Sequence, residues 1–449
     1  QTFGIAGGES ATFQTTVTGN VFSRVTGGGA SLINGPVTLS AGGGTPAFWL
    51  INSAGVVFGA GASINVPGAF HVSTADYIRF GDGTRFYATL GGASTFSAAA
   101  PESFGFLGGQ RATIAVQDGA ILQNVDHQIS LVAGDVLIDN AEVRTRAGDI
   151  RIVALGQRAS TVATSGALPY AEGALDIVND AIVQSLADTA VDGGNVAVAA
   201  GDAYIDFSIL RARSSAAGNS GSLRVETGSL VVTADSRVGS RADAAGNAGD
   251  VAVFARGDVW VEWASALTSN TQDTGNAGNV MVQAGGAVNV LGAGTWISSD
   301  TFSDGHAGSV TVSAASLYID AYGGEAGISS EAVNGATTGN AGAVSVNVSG
   351  HAELRDGGRI SSATYGDGYA GWVFMDSGSL LIDGTFAGSG PTGIVSNAET
   401  GSLGDAGAVW VAVSGAATLR NGGVISSSSK GWGAPGWVDL SAGILQVAG

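Results

Sequence analysis

The chain contains no cysteine. Disulfides, thiolate metal sites and a cysteine nucleophile are therefore excluded. The same lack suits a chain exported unfolded through an oxidising compartment, where stray disulfides would block passage. Charge is scarce as well: Asp, Glu, Lys and Arg make up 12% of the 449 residues, against 45% hydrophobic residues. A disordered chain shows the opposite balance. Lys and Arg total 18, the formal net charge is −19, and no basic cluster occurs. That argues against a nucleic-acid or anionic-lipid partner. Seven prolines and no three-residue glycine period exclude collagen. Long apolar runs are missing too. Residues 274–299 carry no charge, but Gly, Asn, Ser and Thr interrupt them, and a spanning helix needs about 20 mostly apolar residues. The chain opens at Gln1 with no charged or apolar leader, which reads as a mature chain whose signal peptide has been removed.

What is abundant is glycine, 74 residues, and it is spaced. A Gly-x-Ala/Ser-Gly punctuation recurs at Gly218-Asn-Ser-Gly221, Gly246-Asn-Ala-Gly249, Gly275-Asn-Ala-Gly278, Gly305-His-Ala-Gly308 and Gly339-Asn-Ala-Gly342. It continues at Gly368-Tyr-Ala-Gly371, Gly404-Asp-Ala-Gly407 and Gly433-Ala-Pro-Gly436, with Gly193-Gly194 a degenerate earlier copy. Successive second glycines are 27 to 36 residues apart. Two and four residues after each stands an aliphatic residue or Met, from Val196 and Val198 to Val438 and Leu440. Period-two alternation marks a strand with one buried face. A second alternating strand follows, with inward pairs such as Leu230/Val232, Val288/Val290 and Leu380/Ile382. A third segment reads Ile-Ser-Ser, led by Ile297, Ile328, Ile360 and Ile425, with Ile394 leading a variant. Three short strands per repeat, joined by glycine corners, describe one coil of a right-handed parallel β-helix, an all-β solenoid in which like residues stack. Repeat length varies just before the glycine corner, at 268–274 and 396–403, so loops project from one corner.

Residues 1 to about 110 are less regular and richer in aromatics. Here Val25-Thr-Gly-Gly-Gly-Ala-Ser-Leu-Ile-Asn-Gly35 is followed by Phe48-Trp-Leu-Ile-Asn-Ser-Ala-Gly-Val-Val-Phe-Gly59. Ala62-Ser-Ile-Asn-Val66, Gly68-Ala-Phe70, Ser73-Thr-Ala-Asp76, Phe80-Gly-Asp-Gly-Thr-Arg-Phe86 and Ser103-Phe-Gly-Phe-Leu107 come next. In order and spacing these blocks resemble the secretion domain of filamentous-haemagglutinin-like exoproteins of two-partner secretion. Ile129-Ser-Leu-Val-Ala-Gly-Asp-Val-Leu-Ile138 resembles the family's first regular coils. The resemblance covers roughly 1–155, leaving 156–449 as β-helix repeats, with the irregular N-terminal region capping one end. It implies export as an unfolded chain, recognition by an outer-membrane β-barrel transporter, and folding outside. Its second motif, usually Asn-Pro-Asn-Gly-Ile/Val, is here Asn52-Ser-Ala-Gly55-Val56. Asn52, Gly55 and Val56 are the secretion-motif candidates; Asn52 and Gly55 both suit a turn.

Many β-helices act on polysaccharides, and that chemistry needs paired carboxylates or a base in a groove. Asp and Glu read here as scattered singly. Asp135/Asp139 and Asp202/Asp206 sit in alternating strands, where outward solvated carboxylates are expected. His71, His127, His306 and His351 share no ligand spacing, and His306 replaces the Asn of a glycine corner, which points to turn duty. No catalytic residue, metal or cofactor is expected, although an isolated loop calcium stays open.

Outward positions of the first strand, small or polar in early copies, become Trp372 and Phe374, then Trp410, then Trp437. Such a strip marks a contact surface for another segment, a protein or a glycan. A weaker series, Tyr204, Trp260 and Tyr318, fits simple strand propensity. The sequence reaches Gly449 just after a strand with no polar cap, which leaves open a longer exoprotein or end-to-end association. The expectation is a secreted or cell-surface adhesin-like exoprotein with a glycan or surface-protein receptor. A filament or surface-layer component, a polysaccharide-active enzyme, and a toxin-delivery stalk are the alternatives.

Overall fold

A computed structural model of the chain describes residues 2–109, 111–333, 338–385 and 390–449. Every regular element among them is a β-strand, and no helix is long and apolar enough to cross a membrane. The chain packs as two units. One comprises Gln1–Leu186, Gly194–Ile209 and Val225–Gly228, the other Ala187–Gly193, Leu210–Arg224 and Ser229–Gly449. We call them the N-terminal and the C-terminal unit. Each is a parallel β-helix with three strands to a coil.

In the C-terminal unit the repeats stack in register. Val251, Val280, Val310, Val344, Val373 and Val409 are successive partners on the first sheet. Leu230, Val259, Val288, Leu317 and Ala352 are partners on the second. Leu267, Ile297, Ile328, Ile360 and Ile394 follow one another on the third. All of these are buried. Each aliphatic side chain moved out of water contributes about 1.5–3 kcal/mol, and stacking is the only way a single coil can bury its apolar side. The last rung keeps the same register, Val438 pairing with Val409. The first and second strands of later coils merge into one strand, as in Val344–Arg355 and Val373–Asp383, with the register slipping near Gly350 and Gly378. Two separate strands were expected there; glycine at the bend lets the ladder continue around the corner.

The glycine corners are tight. A Cβ on Gly278 would lie 2.4 Å from the Gly249 carbonyl oxygen, and one on Gly308 would lie 2.2 Å from that of Gly278. Polar ladders hold these corners. The second serine of each Ile-Ser-Ser segment points inward. Ser299 Oγ donates to the Gly278 carbonyl at 2.8 Å and accepts from the Gly308 N–H at 2.8 Å. Ser240, Ser269, Ser330, Ser362, Ser396 and Ser427 each repeat both bonds one coil apart. Buried backbone groups must be paired, and this serine column pairs the corner where no strand ladder reaches. At the exposed rim an asparagine ladder does the same. Asn247 Oδ1 accepts from the Asn276 N–H, and Asn276 Oδ1 from the His306 N–H, both at 2.8 Å.

The N-terminal unit is built differently. Its coils begin well before 129–138: Ala11–Thr15 pairs with Pro36–Ala41, and Val21–Arg24 pairs with Phe48–Ile51, all parallel. The expectation that regular coils start at Ile129 is corrected. What masked them is an inserted antiparallel sheet of Tyr77–Phe80, Arg85–Tyr87, Pro101–Phe106 and Ser160–Ala163. Against it pack outward residues of the first-sheet strands, Trp49, Ile51, Val132 and Val153, with Ile78, Phe80, Phe104 and Val162. First-sheet strands such as Ile129–Ala133 and Ile150–Ala154 are therefore buried on both faces, and period-two alternation disappears from them. Inside the coil, Phe48 and Phe70 stack with centroids 6.0 Å apart, and Phe13 meets Phe48 at 4.8 Å.

Candidate functional site

The expected aromatic strip lies on the outer face of the first sheet in the C-terminal unit. Val373, Met375, Val409 and Val411 turn inward and are buried, so alternation sends Trp372, Phe374 and Trp410 outward. Phe374 and Trp410 are register partners. Their rings stack almost in parallel, 4.6 Å apart with a 1° interplanar angle. Trp372 meets Trp410 edge-on at 5.4 Å, and Trp410 meets Trp437 at 4.2 Å and 86°. The strip therefore zigzags between two columns rather than forming a single stack. Trp372 and Trp437 remain 55% and 53% exposed. Beside them runs a shallow groove of about 370 Å³, lined by Phe374, Trp410, Ser345, Asn347, Asp376 and Asp439. Such a surface offers flat apolar faces next to hydrogen-bonding rims. In the weaker series, Asn289 stands in register between Trp260 and Tyr318, and no continuous aromatic face forms there.

The secretion-motif candidates lie inside the N-terminal unit. Asn52 is fully buried. Its Nδ2 donates to the Gly29 carbonyl at 3.2 Å and to Ser31 Oγ at 3.0 Å, and its Oδ1 accepts from the Ala54 N–H at 3.0 Å. Gly55 has φ +115° and donates its N–H to the Asn52 carbonyl at 3.1 Å. Val56 is buried in a strand paired with Ser31–Ile33 and with Thr113–Gln117. In the folded unit these residues close a turn and tie it to the Gly29–Ser31 segment; they present no surface of their own.

Asp135 and Asp139, two of the carboxylates singled out in the sequence, have structural partners. Asp135 accepts from Arg111 Nε at 2.6 Å and from the Ala174 N–H at 2.8 Å, and Asp139 from Asn179 Nδ2 at 2.7 Å. Of the histidines, His71 is buried, stacks on Trp49 at 4.0 Å and meets Ser130 Oγ through Nδ1 at 2.5 Å. Burial pushes its pKa down to about 3, so it is neutral. His306 takes the asparagine's place in the corner ladder, its Nδ1 accepting the Asn340 N–H at 3.0 Å. His351 meets Ser379 Oγ at 2.8 Å. No group of three or more His, Asp or Glu among the described residues is arranged to hold a metal.

The reading of acidic residues as scattered singly is corrected at one place. Asp300 and Glu331 are register partners on the third sheet, although 31 residues separate them. They stack because one circuit of the coil returns the chain to the same column. Arg359 Nη2 lies 3.2 Å from Glu331 Oε1, and the guanidinium sits 4.8 Å over the Trp296 ring. Asp300 Oδ2 accepts from Ser298 Oγ at 2.6 Å, while its Oδ1 is shut off from solvent and unpartnered, as is Arg359 Nε. Desolvation, then the Glu331 charge, pushes the Asp300 carboxyl up to about 8, and burial pushes Glu331 up as well. Aligning the repeats on Ile-Ser-Ser would have revealed the pair, since each acid directly follows the second serine.

Residues 1–181 match the family model of the TPS secretion domain. Among solved structures, the chain is similar to the HMW1 secretion domain from Haemophilus influenzae. The two share 16% identity over 98% of this chain and 91% of that one, with a TM-score of 0.43. No curated protein matches the chain.

Proposed function

We propose, from the premise that residues 1–181 are the secretion domain of a filamentous-haemagglutinin-like exoprotein of two-partner secretion, that the chain is an adhesin-like exoprotein. It binds host, neighbour-cell or matrix ligands through its β-helical surface. The domain implies an outer-membrane transporter as partner and export across the outer membrane to the cell surface or medium. The observation that carries the binding reading is the outward Trp372–Phe374–Trp410–Trp437 strip, exposed at Trp372 and Trp437, with its polar groove. Exposed aromatic patches of this kind mark interaction surfaces, and rings backed by rigid strands lose little freedom on binding. Asn52, Gly55 and Val56 act in export through the turn they close. Because Asn52 and Val56 are buried once folded, a transporter meets them on the unfolded chain.

Binding of the purified chain to a broad glycan array tests the reading, beside a variant carrying Trp372→Ala, Trp410→Ala and Trp437→Ala. Binding lost in the variant makes the strip a sugar-reading surface. An intact chain that binds neither glycans nor cells refutes the adhesin reading and turns the strip into a packing surface, as in a filament.

A further inference from the structure

The groove beside the aromatic strip continues past the strip. A second shallow groove of about 500 Å³ runs on from it across the same outer face, and the two share Asn347 and Asp376. Their residues come from successive first-sheet strands, from Val280–Ala284 and Val310–Ala314 through Val344–Arg355, Val373–Asp383 and Val409–Arg420 to Val438–Ala448. At about 4.8 Å per rung, the six rungs make a path of about 24 Å along the coil axis. One end of the path carries side-chain hydroxyls and amides, Gln283, Ser313, Ser345 and Asn347; the other carries the rings. Phe374 and Trp410 turn one face each to the other. Trp372 and Trp437 stand across Trp410 at 73° and 86° and keep more than half of their surface. Trp372 and Asp376 lie on a coil with neighbours on both sides, so their exposure belongs to the outer face and not to the last rung.

We propose that this path binds a cationic glycan, an oligosaccharide of amino sugars whose amines are free and protonated. The inference rests on the adhesin reading of the strip and names the ligand class of that same site. Charge selects the ligand. No arginine, lysine or histidine lines either groove. Asp376 and Asp439 do line them, both are exposed, and among the described residues neither has a hydrogen bond or an ion pair. Elsewhere in the unit Asp243, Glu353, Asp383 and Glu399 each hold an arginine or a lysine. A protonated amine meets a free carboxylate through a charge-assisted hydrogen bond, and tryptophan faces attract cations. An acidic glycan would bring its charge against two uncompensated carboxylates in a chain of net charge −19. A basic peptide shares the charge but finds no open strand edge here. Val373–Asp383 is paired on both sides, with Val344–Arg355 and Val409–Arg420, so no strand can be added to it. The hydroxyls and amides along the path suit ring hydroxyls instead, which both donate and accept, and the flat tryptophan faces suit the rings themselves.

Calorimetric titration of the chain at mildly acidic pH tests the proposal, with hexamers of glucosamine and of galactosamine, their N-acetylated counterparts, and hexalysine. The expected result is saturable binding of at least one free-amine hexamer, about tenfold or more tighter than its acetylated counterpart and than hexalysine, and weaker as salt rises. Asp376→Asn and Asp439→Asn together lower that affinity about tenfold and leave the acetylated hexamer unchanged. Trp372→Ala lowers the affinity for both sugars. Unchanged thermal midpoints show that the variants remain folded. Binding of neither free-amine hexamer overturns the proposal, and so does an affinity indifferent to the two carboxylates or matched by hexalysine. Equal binding of free-amine and acetylated hexamers, lost in Trp372→Ala, overturns the cationic selection while leaving the adhesin reading of the strip intact.

Discussion

The two units enclose the same kind of core with different residues. In the N-terminal unit, rings fill the first coils and an antiparallel sheet buries the outer face of the first sheet as well. In the C-terminal unit, aliphatic columns fill the coil, the outer faces stay open, and serine and asparagine ladders bind the corners. The first places its stability in a few large contacts. The second spreads it over many small repeated ones, as nearest-neighbour terms between coils. The open outer faces are what leave the C-terminal unit free to carry binding surfaces.

The largest expected difference comes from removing one core side chain on each side. Phe70 touches Phe48 at 6.0 Å and Phe58 at 6.2 Å. Phe70→Ala is expected to destabilise the N-terminal unit by about 3–5 kcal/mol, whereas Ile328→Ala falls at the low end of about 2–5 kcal/mol. Native-state hydrogen exchange, followed peptide by peptide, reads both. Equal losses, or loss of protection spread evenly through both units from either change, would erase the distinction.

The units also carry buried titrations of opposite sign. His71 is held neutral by burial, down to about 3, whereas an unfolded histidine titrates near 6.5. The unfolded chain then binds a proton that the folded chain refuses. Stability is full above about pH 6.5 and is lost as pH falls toward 3. Asp300, facing Glu331 on the next rung, Asn270 on the previous one and Arg359 beyond, is pushed up to about 8. Here the folded chain binds the extra proton, so stability is full near pH 4 and is lost as pH rises to about 8. At about 1.4 kcal/mol per pKa unit, each window spans on the order of 5 kcal/mol. Chemical denaturation across pH should show the acid slope vanish in His71→Phe and the alkaline slope vanish in Asp300→Asn. A slope that survives its substitution disproves the assignment.

A smaller effect belongs to the serine column. Ser299→Ala leaves the Gly278 carbonyl and the Gly308 N–H without the partner that bridges them. The expected loss is about 1–3 kcal/mol, since the cost of an unmade buried bond exceeds the worth of a made one. Thermal unfolding measures it. A loss no larger than that of an exposed serine, Ser309→Ala for instance, would show that the column is incidental.

Much of the C-terminal unit was legible in the sequence. Its repeats preserve both the period-two alternation and the glycine corners, so Val280 and Val282 could be placed inward from spacing alone. The N-terminal coils were harder to read because the antiparallel sheet covers them: Val132 and Val153 are buried on the face that alternation assigns to water. The aromatic strip was legible because successive copies of the first strand carry it at their outward positions. The Asp300–Glu331 pair was not, because its two members are brought together by a circuit of the coil rather than by a local motif. The second serine of Ile-Ser-Ser was visible, but its role was hidden, since its two bonds reach glycines on two different coils.

The smallest effect tests the corner rule itself. His306 is the one histidine in a column otherwise held by residues such as Asn247, Asn276 and Asn340, and it still accepts the next coil's N–H, through Nδ1. If the column needs only an acceptor at that reach, His306→Asn should be neutral, within about 0.5 kcal/mol. His306→Ala, which removes the acceptor from an exposed rim, should cost about 0.5–1.5 kcal/mol. Thermal midpoints of the two variants at neutral pH separate the cases. An asparagine variant as damaged as the alanine one would mean that the imidazole does something in this corner that the repeat does not require. In that case the polar ladders of the C-terminal unit would not be the interchangeable small terms that distinguish it from the ring-packed N-terminal unit.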